Sequence, residues 1–256
     1  METKSDIVRN WLPRYTGTPL SHFSKYILLT NFHNYIELFA EKFNVEILGT
    51  GRPMQTATAN EITIVNFGMG SAMAATVMDL LTAVKPKAIL FLGKCGGLKK
   101  KTQIGDFILP IAAIRGDKTS DDYLPPEIPA LPSFQLLRAV SSMIKKKEQD
   151  YWTGTVYTTN RRVWEHDSSF KRYLRKVRAM AIDMETATLF TIGFANEIPH
   201  GALLLVSDNP MIPEGVKTGD SDEKVTDEFV KMHLEIGIDS LQELIHSGES
   251  VKHLRY

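Results

Sequence analysis

Cysteine is almost absent: the 256 residues contain one, Cys95. A single thiol closes no internal disulfide and builds no Cys-based zinc site, so the chain suits a reducing compartment. An excess of either charge is also missing, because 30 Lys plus Arg meet 30 Asp plus Glu. Dedicated nucleic-acid binders usually carry a basic excess and acidic disordered tails the reverse, so neither class fits. No segment approaches the ~18 uninterrupted apolar residues of a membrane span. The N-terminal stretch METKSDIVRNWLPRY has no apolar run of signal-peptide length. The seven histidines are scattered without close ligand spacing, which argues against zinc. A soluble, cytoplasmic protein is expected, with no metal, no membrane partner and no nucleic acid.

What is present is a globular composition, 43% hydrophobic and 23% charged. No repeat, low-complexity tract or compositional break divides it, so residues 1–256 are expected to form one domain. Strand-length apolar runs alternate with helical periods, the order of an α/β sheet with helices packed on it. Strands are predicted at Tyr26–Thr30, Glu61–Phe67, Ala88–Leu92, Gly105–Pro110, Ile111–Ile114, Trp152–Tyr157, Ala179–Asp183 and Gly201–Val206. Helices are predicted at Tyr35–Phe43, Ala72–Val84 with Ser71 as N-cap, Phe134–Lys146 and Glu185–Asn196. A last long helix sets Val225, Phe229, Met232 and Ile236 on one face.

Gly-rich turns after strands are natural anion sites, because backbone amides and helix N-termini can approach a ligand closely. Gly68-Met69-Gly70 fails as a dinucleotide fingerprint. The third glycine position holds Met73, and Lys85 and Lys87 stand where an acid is wanted. Gly93-Lys94-Cys95-Gly96-Gly97, followed by Lys99, Lys100 and Lys101, is either an anion site or a plain tight turn. Asp208 ends the apolar run GALLLVS, where a partly desolvated carboxyl would hold its proton as a general acid must; it could equally cap the turn before Pro210. In Asp183-Met184-Glu185 any acid could cap the following helix, and on generic grounds the cap is favoured. Arg161 and Arg162 could hold a phosphate, although adjacent arginines are more often surface charge. Neither GxxxxGK[ST] nor GxSxG is present.

Taken together, FGMG, LGKCGG, AIDMETATLF and LLLVSDNP resemble the purine nucleoside phosphorylase and nucleosidase superfamily across most of the chain. NWLPRYTGTP, ILLTNF, FLGKCGGLKKKTQIGDFILPIAAIRG and TGTVYTTNRRVWEHD are similar to its AMP-cleaving branch, over roughly residues 10–245. The resemblance implies a three-layer α/β/α fold with a central mixed β-sheet, in a homo-oligomer built from dimers, often a hexamer. The implied reaction, without a cofactor, is hydrolysis of the N-glycosidic bond of AMP to adenine and ribose 5-phosphate. By this resemblance Asp208 protonates the purine, Glu185 holds the ribose hydroxyls, and Met184 and Met69 line the sugar. The 5′-phosphate falls to a group of candidates: Lys94 with the amides of Gly96 and Gly97, Arg161 or Arg162, and Arg52 reaching from a neighbouring subunit. Lys217 lies where some phosphorylases have an arginine that assists the catalytic aspartate; the alternative is a surface loop. Asn31 stands near where related hydrolases place an acid, and an asparagine could position water.

The resemblance also separates two reactions. Phosphorylases of this superfamily surround an attacking phosphate ion with arginines, at places that here fall near Tyr35 and at Phe91, and with a serine where this chain has Lys94. Water as the attacking group therefore fits better, and a purine nucleoside phosphorylase is the alternative. A non-catalytic nucleotide-binding module would be expected to lack Asp208 or Glu185. Longer members carry a large N-terminal regulatory region, whereas this chain begins almost at the catalytic part, so ATP activation through such a region is not expected.

Overall fold

The computed structural model describes residues 2–213, 215, 216 and 219–247, with side chains for all of these except 219–228. Eight strands carry the fold: β1 (Tyr26–Thr30), β2 (Gln55–Ala59), β3 (Ile62–Asn66), β4 (Ala88–Gly97), β5 (Phe107–Gly116), β6 (Tyr151–Thr159), β7 (Ala181–Asp183) and β8 (His200–Asp208). The helices are α1 (Lys4–Thr16), α2 (His33–Phe43), α3 (Ser71–Leu81), α4 (Phe134–Lys146), α5 (Ser168–Lys176), α6 (Thr186–Ala195) and α7 (Gly219–Ser247).

The sheet is mixed and runs β2-β3-β1-β4-β7-β6-β5-β8, with β8 also pairing parallel to β4. The pairings β4–β8, β8–β5, β5–β6, β6–β7 and β7–β4 close a circuit, and β1, β3 and β2 extend from it. Closure leaves these five strands few unpaired edges.

Strand alternation sorts the core into two layers. From β1, Ile27 and Leu29 face one layer and Tyr26 and Leu28 the other; β8 divides likewise, with Leu204 and Val206 opposite Leu203 and Leu205. Buried residues of α1, α3 and α6 complete the first layer, and those of α2, α4 and α7 the second. This is the three-layer α/β/α arrangement. In α7, Ile236 is buried and Phe229 and Met232 pack against the second layer, while the side chain of Val225 lies outside the described residues.

Several elements depart from the sequence expectation. β4 continues to Gly97, so Gly93–Gly97 is strand and not a turn. Its glycines serve close packing: a Cβ on Gly97 would collide with the Thr102 hydroxyl oxygen. The two strands expected over 105–114 are one, β5, whose register shifts between Pro110 and Ala112, leaving Ile111 half exposed. Ser71 is the first residue of α3, not its cap; Gly70 takes that position. α1 was not visible in the hydrophobic pattern because only Val8, Leu12 and Thr16 are buried, yet a Thr3–Asp6 capping box starts it and Gly17 at φ 67° ends it.

Candidate active site

The C-terminal ends of β1, β4, β6, β7 and β8 converge on one cavity of about 110 Å³, the place where open α/β sheets bind ligands. Asn31 and Phe32 enter from the end of β1, Lys94 to Gly96 from β4, Asp183 to Glu185 from β7, and Ser207 and Asp208 from β8. Met69 closes one side, and the segment after β6 adds Arg161, Arg162, Trp164 and Glu165.

At the β7–α6 junction two acids, Asp183 and Glu185, were open as caps in the sequence, and the structure separates their work. Asp183 caps α6. One of its oxygens accepts from the amides of Thr186 (2.7 Å) and Glu185 (3.3 Å) and from the Thr186 hydroxyl; the other accepts from Thr158 Oγ1 at 2.7 Å. Glu185 makes no cap bond. Its carboxylate instead turns to the cavity wall, accepting from the Gly70 amide at 2.7 Å and the Met184 amide at 3.3 Å, with the Asn31 side chain close enough to favour its anion. Gly70 can point its amide there because it sits at φ 95°, a conformation that strains any L side chain. Ser71 Oγ donates to the Met184 carbonyl at 2.8 Å and fastens the same two segments.

Burial raises the pKa of Glu185, and the neighbouring Asp183 charge raises it further, against the three groups that favour its anion. Burial also raises Asp183, opposed by its Thr186 and Thr158 hydrogen bonds. The same desolvation, with Asp183 and Asp208 nearby, pushes the Cys95 thiol well above its ordinary value, so Cys95 is a neutral wall residue. Because Asp183 satisfies the start of α6, Asp183→Ala is expected to cost about 2 kcal/mol, the upper end for a lost N-cap. A lower urea midpoint at unchanged m would register it; Asp183→Asn, which keeps the acceptor, should lose less.

Asp208 ends β8 opposite Gly96, just where a register shift between Cys95 and Gly96 interrupts the β4–β8 ladder. Ser207 Oγ donates to its Oδ1 at 2.7 Å. The turn that follows is organised by Asn209, whose Oδ1 accepts from the Met211 amide at 3.2 Å and whose Nδ2 donates to the Lys99 and Thr102 carbonyls. Asn209 thus ties this turn to the Lys99–Thr102 segment.

The cations are arranged differently from one another. Lys94 is buried, with its ammonium 4.7 Å from the centre of the Phe32 ring. Arg161 and Arg162 sit at the rim, about half exposed, paired to Asp167 at 2.8 Å and Glu165 at 3.2 Å. Arg52 is exposed on the turn after Gly49 and does not line the cavity of its own chain. Gly97 also stays out of it, held in the ladder opposite Ala181, and Gly96 pairs with Ile182. Lys217 lies outside the described residues. Trp164, Glu165, Thr159 and Ser207 line the cavity without having been singled out in the sequence. An acid three residues after Arg162 was the available signal for Glu165.

A family model described as the Phosphorylase superfamily matches residues 25–246. The AMP nucleosidase of Escherichia coli (strain K12) is 32% identical over 285 residues, a match covering 93% of this chain and 58% of that protein. The chain therefore spans less than two thirds of that relative. A crystal structure of AMP nucleosidase from Bacteroides thetaiotaomicron VPI-5482 is 56% identical, with 96% of this chain and 99% of that chain covered at a TM-score of 0.87. Uridine phosphorylase from Vibrio fischeri ES114, at 22% identity, covers 88% of this chain and 93% of its own with a TM-score of 0.78, and shares the fold. By the family match, the similar sheet and the overlap with these relatives, this chain belongs to the phosphorylase superfamily.

Proposed function

We propose that the protein hydrolyses the N-glycosidic bond of AMP, releasing adenine and ribose 5-phosphate. The observation that carries this is the meeting in one cavity of a strand-end carboxyl, Asp208, and a second carboxylate, Glu185, freed from helix capping by Asp183. The 56% identity to a structure described as AMP nucleosidase supports the choice of nucleotide.

Cleavage at C1′ builds positive charge on the ribose and negative charge on the purine. Asp208, in its acid form, gives a proton to the imidazole nitrogen of the purine, so adenine departs neutral. Glu185 accepts hydrogen bonds from the 2′- and 3′-hydroxyls, which strengthen as the ring becomes cationic. Met184 and Met69 flank the sugar. The 5′-phosphate is assigned to Lys94, Arg161 and Arg162. The two arginines can release their present carboxylate partners cheaply, since exposed ion pairs contribute only about 0–1 kcal/mol.

The chain acts as one catalytic domain over 1–256 in a cytoplasmic homohexamer assembled from dimers. A single buried cysteine supports the reducing compartment. The position of Arg52, away from its own cavity, supports a contribution across a subunit interface.

Incubating the protein with AMP, with and without inorganic phosphate, tests the reaction. Ribose 5-phosphate at equal rates in both is expected, with adenosine cleaved far more slowly. A phosphate requirement with a sugar 1-phosphate product would make the enzyme a phosphorylase, and equal turnover of adenosine would remove the phosphate site.

A further inference from the structure

The balanced charge of the chain is unevenly spread. Lys99, Lys100 and Lys101 follow β4, and the stretch from α5 to just beyond it adds Lys171, Arg172, Arg175, Lys176 and Arg178. Neither 97–105 nor 168–182 contains an acid. The two stretches form one surface: Lys99 Nζ donates to the Arg178 carbonyl at 3.1 Å, and Leu98 shares an apolar cluster with Leu174. All of these cations except Lys99 and Lys171 are exposed, and none of them pairs with a carboxylate among the described residues. Arg175 and Lys176 suit the negative end of α5, but that reason does not extend to Lys99–Lys101, which lie on no helix.

This surface adjoins the mouth of the cavity. Lys171 Nζ donates at 2.7 Å to the carbonyl of Pro210, two residues beyond Asp208. Arg161 at the rim lies 5.0 Å from the centre of the Phe170 ring and pairs with Asp167, the N-cap of α5. Since Arg161 and Arg162 are each matched by an acid, attraction felt at a distance comes from the unmatched cations behind them. Phe170 and Leu174 pack into the apolar cluster, so that side of α5 is not open to a bilayer.

We propose that this basic surface draws the AMP dianion from solvent to the cavity mouth. This role rests on the AMP-hydrolysing reading and adds its encounter step. A 5′-phosphate carries between about −1.5 and −2 at neutral pH, and a surface of one sign beside a cleft raises substrate capture by about 10- to 1000-fold. Screening sets the range: α5 is about 13 Å long, against a Debye length of about 30 Å at 0.01 M salt and about 8 Å at 0.15 M.

The test compares the parent with a fourfold variant, Lys100→Gln, Lys101→Gln, Arg175→Gln and Lys176→Gln, on AMP between about 0.01 and 0.3 M salt. At low salt kcat/KM should be about 5- to 10-fold lower in the variant, and the two should converge at high salt. At saturating AMP kcat should agree within about twofold, because the encounter does not enter it. A Lys100→Arg, Lys101→Arg, Arg175→Lys, Lys176→Arg variant keeps the charges and should behave as the parent. The salt slope is a ratio within one preparation, so it does not depend on how much variant is folded. Equal slopes in parent and fourfold variant overturn the steering role while leaving AMP hydrolysis standing; if the parent alone is then retained on heparin, the surface belongs to a polyanion instead. A parent that releases no ribose 5-phosphate from AMP overturns the function reading and this role with it.

Discussion

Asp208→Asn is expected to lower kcat for AMP by roughly 100- to 10,000-fold, the usual contribution of a positioned proton donor. That corresponds to about 3–5 kcal/mol of barrier. Asparagine preserves the shape at the end of β8 and an acceptor for Ser207 Oγ, so the fold is maintained. Its amide can still hydrogen-bond to the purine but has no proton to transfer. The loss therefore isolates protonation of the leaving group from its binding. An AMP analogue methylated on the imidazole nitrogen provides the control, because its base departs neutral without help; the variant should cleave it at nearly the parent rate. A deficit of equal size on both substrates would place Asp208 in binding and not in proton transfer.

Glu185→Gln should lower kcat about 100-fold, the scale for one lost electrostatic contact to a developing charge. Its effect on pH dependence is more diagnostic. The proposed role needs the anion, while burial and Asp183 hold Glu185 protonated above the ordinary carboxylate range. In the parent, kcat/KM should climb with pH through this raised value, and the variant should lack that limb. Stability moves in the opposite direction. Between the unfolded carboxylate value and the raised folded one, the native state binds more protons than the unfolded chain, so stability declines as pH rises through that window. Asp183 shares the direction of shift, and Glu185→Gln should remove the Glu185 part of the decline. Urea unfolding across this pH range measures it; an identical slope in parent and variant would contradict a raised Glu185.

Apolar runs revealed the strands that are buried on both faces, and failed where side chains carry little signal. Tyr26–Thr30 matches β1 at both ends, yet the run Ala88–Leu92 gives only half of β4, because Gly93, Gly96 and Gly97 look like a turn in any hydropathy pattern. β4 persists through them because β8 and β7 supply hydrogen-bond partners. β2, with the sequence Gln55–Ala59, sits at the end of the strand order and has too little apolar content to stand out. In the site, Met69, Met184, Glu185 and Asp208 follow or end strands, where turns and strand ends drew attention to them, whereas Lys94 lies within β4 and Asn31 was named by the family resemblance alone. Which acid caps α6 was not legible, because Asp183, Met184 and Glu185 are consecutive and only the observed backbone path tells which carboxylate turns inward. Trp164 and Glu165 lie in an irregular segment after β6, where no period constrains a reading.

The continuity of β4 links catalysis to the unfolding behaviour of the molecule. Leu90 and Leu92 belong to the buried core, and two to four residues later the same strand forms the cavity wall at Lys94, Cys95 and Gly96. Backbone amides along this wall should exchange with deuterated solvent at rates set by global opening, whereas those of residues 160–167 should exchange through local fluctuations. The two parts of the pocket consequently differ in how they can change over evolutionary time. The rim can exchange residues and so alter substrate preference with little effect on folding, while the floor is free to vary only as far as the core permits.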